Sequence, residues 1–179
     1  MKTIVVSYSM TGNNQLLAAS VAQGLHARHI KLTEAKKRTM ATTVLDLLLN
    51  RTPKVQPPLD ALAACDAVVL AGPVWIGSVA TPLRAAMKRL KKLRCPYAFL
   101  SISGGADSDN PKVPAELRRR VKRDAAAVAD LHIADLLPKE PAPTRETTSA
   151  YKLTPNDVET LTKQALSRLR AVLGEEDAK

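Results

Sequence analysis

The stretch Thr3-Ile4-Val5-Val6-Ser7-Tyr8-Ser9-Met10-Thr11-Gly12-Asn13-Asn14 decides how the chain is read. Its first six residues form a short apolar, β-branched run of the kind a buried strand requires. Its middle is small and hydroxyl-rich, and residues 13–27 place Leu17, Val21 and Leu25 on one helical face. A strand that empties through such a loop into a helix is a ready anion site. N–H groups of the loop and of the first helical turn converge there, and the helix dipole adds positive potential. Ser9, Thr11, Asn13 and Asn14 offer side-chain donors, and the loop holds no Lys or Arg. The Gly-Lys-Ser/Thr ending of a P-loop and the dinucleotide G-x-G-x-x-G are both missing. The stretch reads as a site for a phosphate held by neutral donors.

Apolar runs and helical patterns alternate from there on. Residues 29–33 read as a weak second strand, 41–49 as a short helix, 53–58 as a Pro-rich turn and 66–72 as the clearest strand. Thr81 as N-cap and Pro82 at the first helical position open a helix carrying Leu83, Met87, Leu90 and Leu93. A strand over 97–102 ends in Ser103-Gly104-Gly105. A helix fits 114–129, with Leu117, Val121 and Val128 inward, and a fifth strand spans 131–137. After a polar connection over 138–153, Thr154-Pro155-Asn156-Asp157 opens the last helix. Its stripe is Val158, Leu161, Ala165, Leu166, Leu169, Val172 and Leu173, and Gly174 stops it. One domain over 1–174 with a tail at 175–179 is expected. Strands alternating with helices predict a parallel sheet covered on both faces, with ligands beyond the carboxyl ends of the strands.

With 179 residues, 45% of them apolar, the chain buries a sizeable core; aromatics are only 3%, so Leu, Val, Ile and Ala build it and the single Trp75 stands out. Cys65 and Cys95 are too few and unpatterned for a disulfide framework or a metal site. Nothing reads as a signal peptide or membrane span, so the expected compartment is the cytoplasm, without membrane insertion. A net charge of +10 predicts attraction to something acidic. Arg84, Lys88, Arg89, Lys91, Lys92 and Arg94 on the third helix, with Arg118, Arg119, Arg120, Lys122 and Arg123 on the fourth, are expected to merge into one basic face. An acidic protein or a nucleotide phosphate fits such a face. Nucleic acid is disfavoured, because neither a binding motif nor stacking aromatics accompany the charge.

Three loops occupy the carboxyl edge: Ser9–Asn14, Pro73-Val74-Trp75-Ile76-Gly77-Ser78 and Ser103-Gly104-Gly105-Ala106-Asp107. Tyr8-Ser9-x-Thr11-Gly12-Asn13 resembles the phosphate loop of the flavodoxin-like family of FMN-binding proteins. Gly72-Pro73-Val74-Trp75-x-Gly77, followed by Thr81-Pro82-Leu83, resembles that family's flavin-ring loop, and Ser-Gly-Gly its third flavin-contacting loop. Order and spacing match, and the resemblance covers nearly the whole chain. It implies an α/β fold with a five-stranded parallel sheet of order 2-1-3-4-5 and helices on both faces, a flavodoxin-like three-layer sandwich. It also implies FMN bound by Ser9, Met10, Thr11, Gly12, Asn13, Asn14, Pro73, Val74, Trp75, Ile76, Gly77, Ser103, Gly104 and Gly105. The residues suit this: Trp75 can stack on a flat ring, and Gly77, Gly104 and Gly105 permit close main-chain approach.

The chain departs from the family in two places. Asn14 stands where the phosphate loop often closes with Thr, and the third loop has no aromatic to cover the outer ring face. An open face suits an NAD(P)H-dependent reductase of quinones or related acceptors. A basic face suits an electron carrier between protein partners. The expectation is an FMN-binding redox flavoprotein with both roles open, and NAD(P)H, a quinone-like acceptor and an acidic redox protein as candidate partners. No catalytic side chain or metal is called for, since the cofactor carries the chemistry. Tyr151, in the 138–153 connection, is a candidate lid residue. A cofactor-less interaction protein, a receiver and a hydrolase are disfavoured. The three loops are intact, strand one ends in Ser7-Tyr8-Ser9 rather than acids, and His26, His29 and His132 have no evident nucleophile partner.

Overall fold

The computed structural model describes residues 1–36, 38–106 and 110–173. Its strands are β1 (Thr3–Ser7), β2 (Arg28–Lys31), β3 (Ala67–Ala71), β4 (Val74–Trp75), β5 (Ser78–Val79), β6 (Tyr97–Ser103) and β7 (Ala127–His132). Five of them form one parallel sheet in the order β2-β1-β3-β6-β7, which counted within the sheet is the expected 2-1-3-4-5. The other two, β4 and β5, form a separate antiparallel hairpin. The helices are α1 (Asn13–Gly24), α2 (Met40–Leu48), α3 (Arg84–Leu90), α4 (Val113–Val121), α5 (Arg145–Ala150) and α6 (Pro155–Leu173).

β1 and β3 are buried along their whole length, as central parallel strands must be. Their alternation divides their side chains between two cores. Ile4, Val6, Val68 and Leu70 pack with Met87 and Leu90 of α3 and Leu117 of α4. Val5 and Val69 pack with Leu17 and Val21 of α1 and Leu161 and Leu169 of α6. The sheet order reverses between β1 and β3, which opens a crevice at their carboxyl ends.

Several expected boundaries move. The helix expected over 114–129 stops at Val121, where Lys122 takes a left-handed φ of 65°. The alanine-rich run beyond it favours helix, but pairing with β6, Ala98 opposite Ala127, draws it into β7, so Val128 is a strand residue. Thr81 does not cap α3; it begins a 3₁₀ turn (Thr81–Leu83), and its hydroxyl is buried without a partner among the described residues. α3 ends at Leu90, so Leu93 packs from the turn beyond it. The 138–153 connection holds α5, opened by reciprocal Thr144–Thr147 capping. α6 is capped by Thr154 and Asp157, whose N–H groups donate to Asp157 Oδ2 at 2.8 Å and Thr154 Oγ1 at 3.2 Å. Asp107, Gly174, the Val172 side chain and the tail at 175–179 lie outside the described residues.

α3 and α4 lie side by side, as expected, but three of the eleven cations of the expected basic face are bonded internally. Arg84 is buried and donates to the carbonyls of Asp46 and Arg51. Burial, then repulsion from Arg120, pushes its pKa down to about 10. Arg120 donates to Glu116 and Asn50, and Arg123 to the carbonyls of Leu90, Leu93 and Cys95. These three guanidiniums fasten the molecule internally.

Candidate functional site

Gly12, at a φ of 101°, is the N-cap of α1 and turns the chain from the β1 loop into the helix. Ser9 Oγ accepts the Gly12 N–H at 3.0 Å, which closes the turn. The N–H groups of Met10, Thr11, Asn13 and Asn14 have no hydrogen bond among the described residues. The expected side-chain donors behave differently. Asn14 is buried and brackets β6, donating to the Ile102 carbonyl (2.8 Å) and accepting the Ile102 N–H (3.0 Å). Asn13 ties α1 to the 151–153 segment through the Tyr151 carbonyl (2.9 Å) and the Leu153 N–H (3.2 Å). Each amide has its oxygen and one N–H committed, so the second N–H of each, the Ser9 and Thr11 hydroxyls and the main chain are left as donors for an anion. A cation absent from the loop arrives from elsewhere: Lys152 Nζ donates to the Thr11 carbonyl at 2.8 Å.

The second wall is the β4–β5 hairpin, closed by Ala80 N–H on the Pro73 carbonyl at 3.0 Å. Its two turn residues both have positive φ, Ile76 at 52° and Gly77 at 70°, the geometry of a type I′ turn. Glycine suits this; an exposed β-branched isoleucine is strained there. Behind the hairpin, Arg38 lies over Trp75 with its guanidinium carbon 5.4 Å from the ring centroid, and Tyr8 meets the indole edge-on at 5.8 Å. Arg38 also bonds Glu34 and Asp46. Burial opposes its charge, but those carboxylates outweigh burial and raise its pKa. Tyr8 donates to Glu34 at 2.9 Å, and burial with that bond pushes its pKa up to about 12. Glu116 Oε2 accepts the Val79 N–H at 2.7 Å, while its Oε1 accepts Arg120 Nε at 2.6 Å, which fastens the hairpin to α4.

The third wall is the end of β6 with α5. A Cβ on Gly104 would come within 2.9 Å of Thr148 Oγ1, and one on Gly105, at a φ of 72°, within 2.4 Å of His132 Cβ. Glycine at both positions is thus demanded by the protein's own packing. Arg145, Thr148 and Ser149 of α5 face the same cleft, a contribution that the sequence reading missed. Tyr151 does not line it; its hydroxyl donates to Asp157 at 2.8 Å, beside the α6 cap. The three walls enclose a cleft of about 820 Å³. Every expected site residue lines it except Ser9 and Gly12, which shape the turn.

The family model described as NADPH-dependent FMN reductase matches residues 1–108, the span that carries all three loops. The chain belongs to the NADPH-dependent FMN reductase family. This member of the family is an FMN-binding redox flavoprotein. No curated protein matches it in sequence. Among solved structures it is similar to a flavoprotein of Lactobacillus acidophilus in complex with FMN, at 20% identity over 72% of this chain and 92% of that one, with a TM-score of 0.62. It is also similar to a flavodoxin from the domain Archaea (16% identity, 96% of this chain and 99% of that one, TM-score 0.54). A third is rubredoxin:oxygen oxidoreductase from Desulfovibrio gigas (15% identity, 99% of this chain but 37% of that one, TM-score 0.53). At such identities the likeness establishes the flavodoxin-like fold.

The donor set of this reductase-family cleft fits FMN. Unpaired first-turn N–H groups and a free hydroxyl suit a phosphate, and an indole on an apolar hairpin suits a flat ring. Among the described residues no cluster of His, Cys, Asp or Glu is arranged to hold a metal ion, and no helix is long and apolar enough to cross a membrane.

Proposed function

We propose that the protein is an NAD(P)H-dependent reductase of quinones or related small acceptors, with FMN resident in the cleft. The first turn of α1 and Thr11 hold the phosphate, with Lys152 at its edge. Trp75, Val74 and Pro73 form the inner wall for the ring, and Ser103, Gly104 and Gly105 meet its polar edge. Bound FMN supplies the electron transfer between a reduced nicotinamide donor and an acceptor. The observation that carries the reading is the composition of the third wall. Ser103, Gly104, Gly105 and Ala106 face Thr148 and Ser149 there, with no aromatic among them, so a second planar molecule has room to lie against the ring. The basic face of α3 and α4 favours the carrier reading, and commitment of Arg84, Arg120 and Arg123 to internal bonds takes three of its eleven cations away.

The test is a titration of the purified chain with FMN, followed by quenching of its single Trp, then stopped-flow mixing of the loaded protein with NADPH and a soluble quinone. Rapid NADPH oxidation that needs the quinone supports the reductase. Tight FMN binding with no NADPH oxidation overturns it in favour of the carrier.

A further inference from the structure

Cys65 and Cys95 are distant in sequence, yet the fold puts them in contact. Cys65 stands two residues before β3 and Cys95 two residues before β6, and these strands are parallel neighbours. Both residues therefore sit at the amino edge of the sheet, opposite the cleft. Their Sγ atoms are 3.9 Å apart, and both are half-buried free thiols. We propose that the two cysteines form a dithiol that a peroxide oxidises to an intramolecular disulfide.

The surroundings assign different tasks to the two sulfurs. The Cys65 thiol donates to the Leu62 carbonyl at 3.1 Å, which holds its proton in place. Among the described residues the Cys95 sulfur has no carbonyl partner and faces only the Cys65 sulfur, at 3.9 Å. Cys95 is thus assigned the attack. Its thiolate bonds one oxygen of hydrogen peroxide, the O–O bond breaks, and the departing hydroxide takes up the thiol's proton as water. The Cys65 sulfur then bonds the sulfur of the resulting sulfenic acid. The S–O bond breaks, and a second water leaves with the Cys65 proton. The two sulfurs together lose two electrons, which reduce one peroxide to two waters. Burial and the neighbouring Cys95 push the Cys65 thiol up to about 12, in keeping with its second place in the sequence.

The bond would close residues 65–95 into a ring holding β3, the Trp75 hairpin and α3. Its effect falls mainly on the unfolded chain, which loses freedom. The test exposes the reduced full-length protein to hydrogen peroxide, then reads intact mass, non-reducing peptide maps and thermal unfolding. Expected are a species lighter by two hydrogen atoms, a cross-linked peptide joining Cys65 to Cys95, and a Tm raised by roughly 8–15 °C. Dithiothreitol reverses all three, and Cys65→Ser shows no rise in Tm. Oxygen addition at either cysteine without the lighter species, a disulfide between chains, or an equal Tm rise in Cys65→Ser overturns the proposal. If Cys65→Ser does not fold, the peptide map of the unaltered protein decides.

Discussion

The Arg38 guanidinium lies over the Trp75 indole, 5.4 Å from the ring centroid, while its N–H groups are taken by Glu34 and Asp46. The wall of the cleft is therefore backed by a cation that two carboxylates keep in place. Arg38→Met leaves Asp46 partly buried without its cation and Glu34 with only the Tyr8 hydroxyl, at an expected cost of about 2–4 kcal/mol. It also loosens the ring, so FMN affinity falls by roughly fivefold to twentyfold. Urea unfolding and a fluorescence titration check both, and the emission of the single Trp should move to the red.

Lys152 is the only cation that the structure hydrogen-bonds to the β1–α1 turn among the described residues. Lys152→Ala should weaken FMN by about threefold to tenfold and flatten the salt dependence of binding. Riboflavin, which has no phosphate, should bind both forms alike. Titrations with the two flavins at low and high salt separate this from a general loosening of the site.

Asn14 satisfies both main-chain groups of Ile102 from a buried position. Removing its amide leaves a buried N–H and a buried carbonyl unpaired. Asn14→Ala should cost about 2–3 kcal/mol, measured by denaturant unfolding of the cofactor-free protein.

Ile76 holds a φ of 52° at the hairpin tip and lines the cleft. Asn tolerates that conformation far better. Ile76→Asn is expected to gain about 1 kcal/mol, a Tm rise of roughly 2–4 °C, while weakening flavin binding through lost apolar contact. A variant that gains stability and keeps full FMN affinity would show that the strained isoleucine has no part in the site.

His29 meets Ser7 Oγ at 2.7 Å, and burial, then Lys31, lowers its pKa below the ordinary 6.5. The unfolded chain therefore binds this proton more readily than the folded one, so stability rises with pH across the window. The contribution is complete above about pH 7.5 and is lost as pH falls through 6.5 toward the folded value. His29→Gln should flatten the stability profile in that range, as urea midpoints from pH 5 to 8 would show.

The carboxyl-edge loops were legible because each is a contiguous run whose slot follows from local pattern. Ser9–Gly12 lies between a β-branched strand and an amphipathic helix, and Trp75 follows the end of the most apolar strand. α5 was missed although its Thr144-x-x-Thr147 cap stands in the sequence, because the polar residues around it carry no apolar stripe. Lys152 was missed for a different reason. Its contact with Thr11 depends on where the 151–153 segment docks, and Asn13 sets that docking from the far end of the chain. Gly104 and Gly105 were read as positions where the main chain must approach a flavin closely, whereas the contact that excludes a side chain in the fold is internal. The atoms that exclude it belong to Thr148 and His132, which only the folded chain brings near.

By itself, the sequence determined the strand–helix alternation, the buried central strands, the place of the β1–α1 turn and of Trp75 at the carboxyl edge, and the α6 cap. All of these rest on periodicity and capping within a few residues, where steric and hydrogen-bonding rules act locally. Tertiary structure alone decided which polar groups stay free. It tied one N–H and the oxygen of each of the Asn13 and Asn14 amides and the guanidiniums of Arg84, Arg120 and Arg123 to remote partners, and it set Cys65 against Cys95. A buried polar group must find a partner wherever the packed chain supplies one, and that supply depends on the meeting of distant segments.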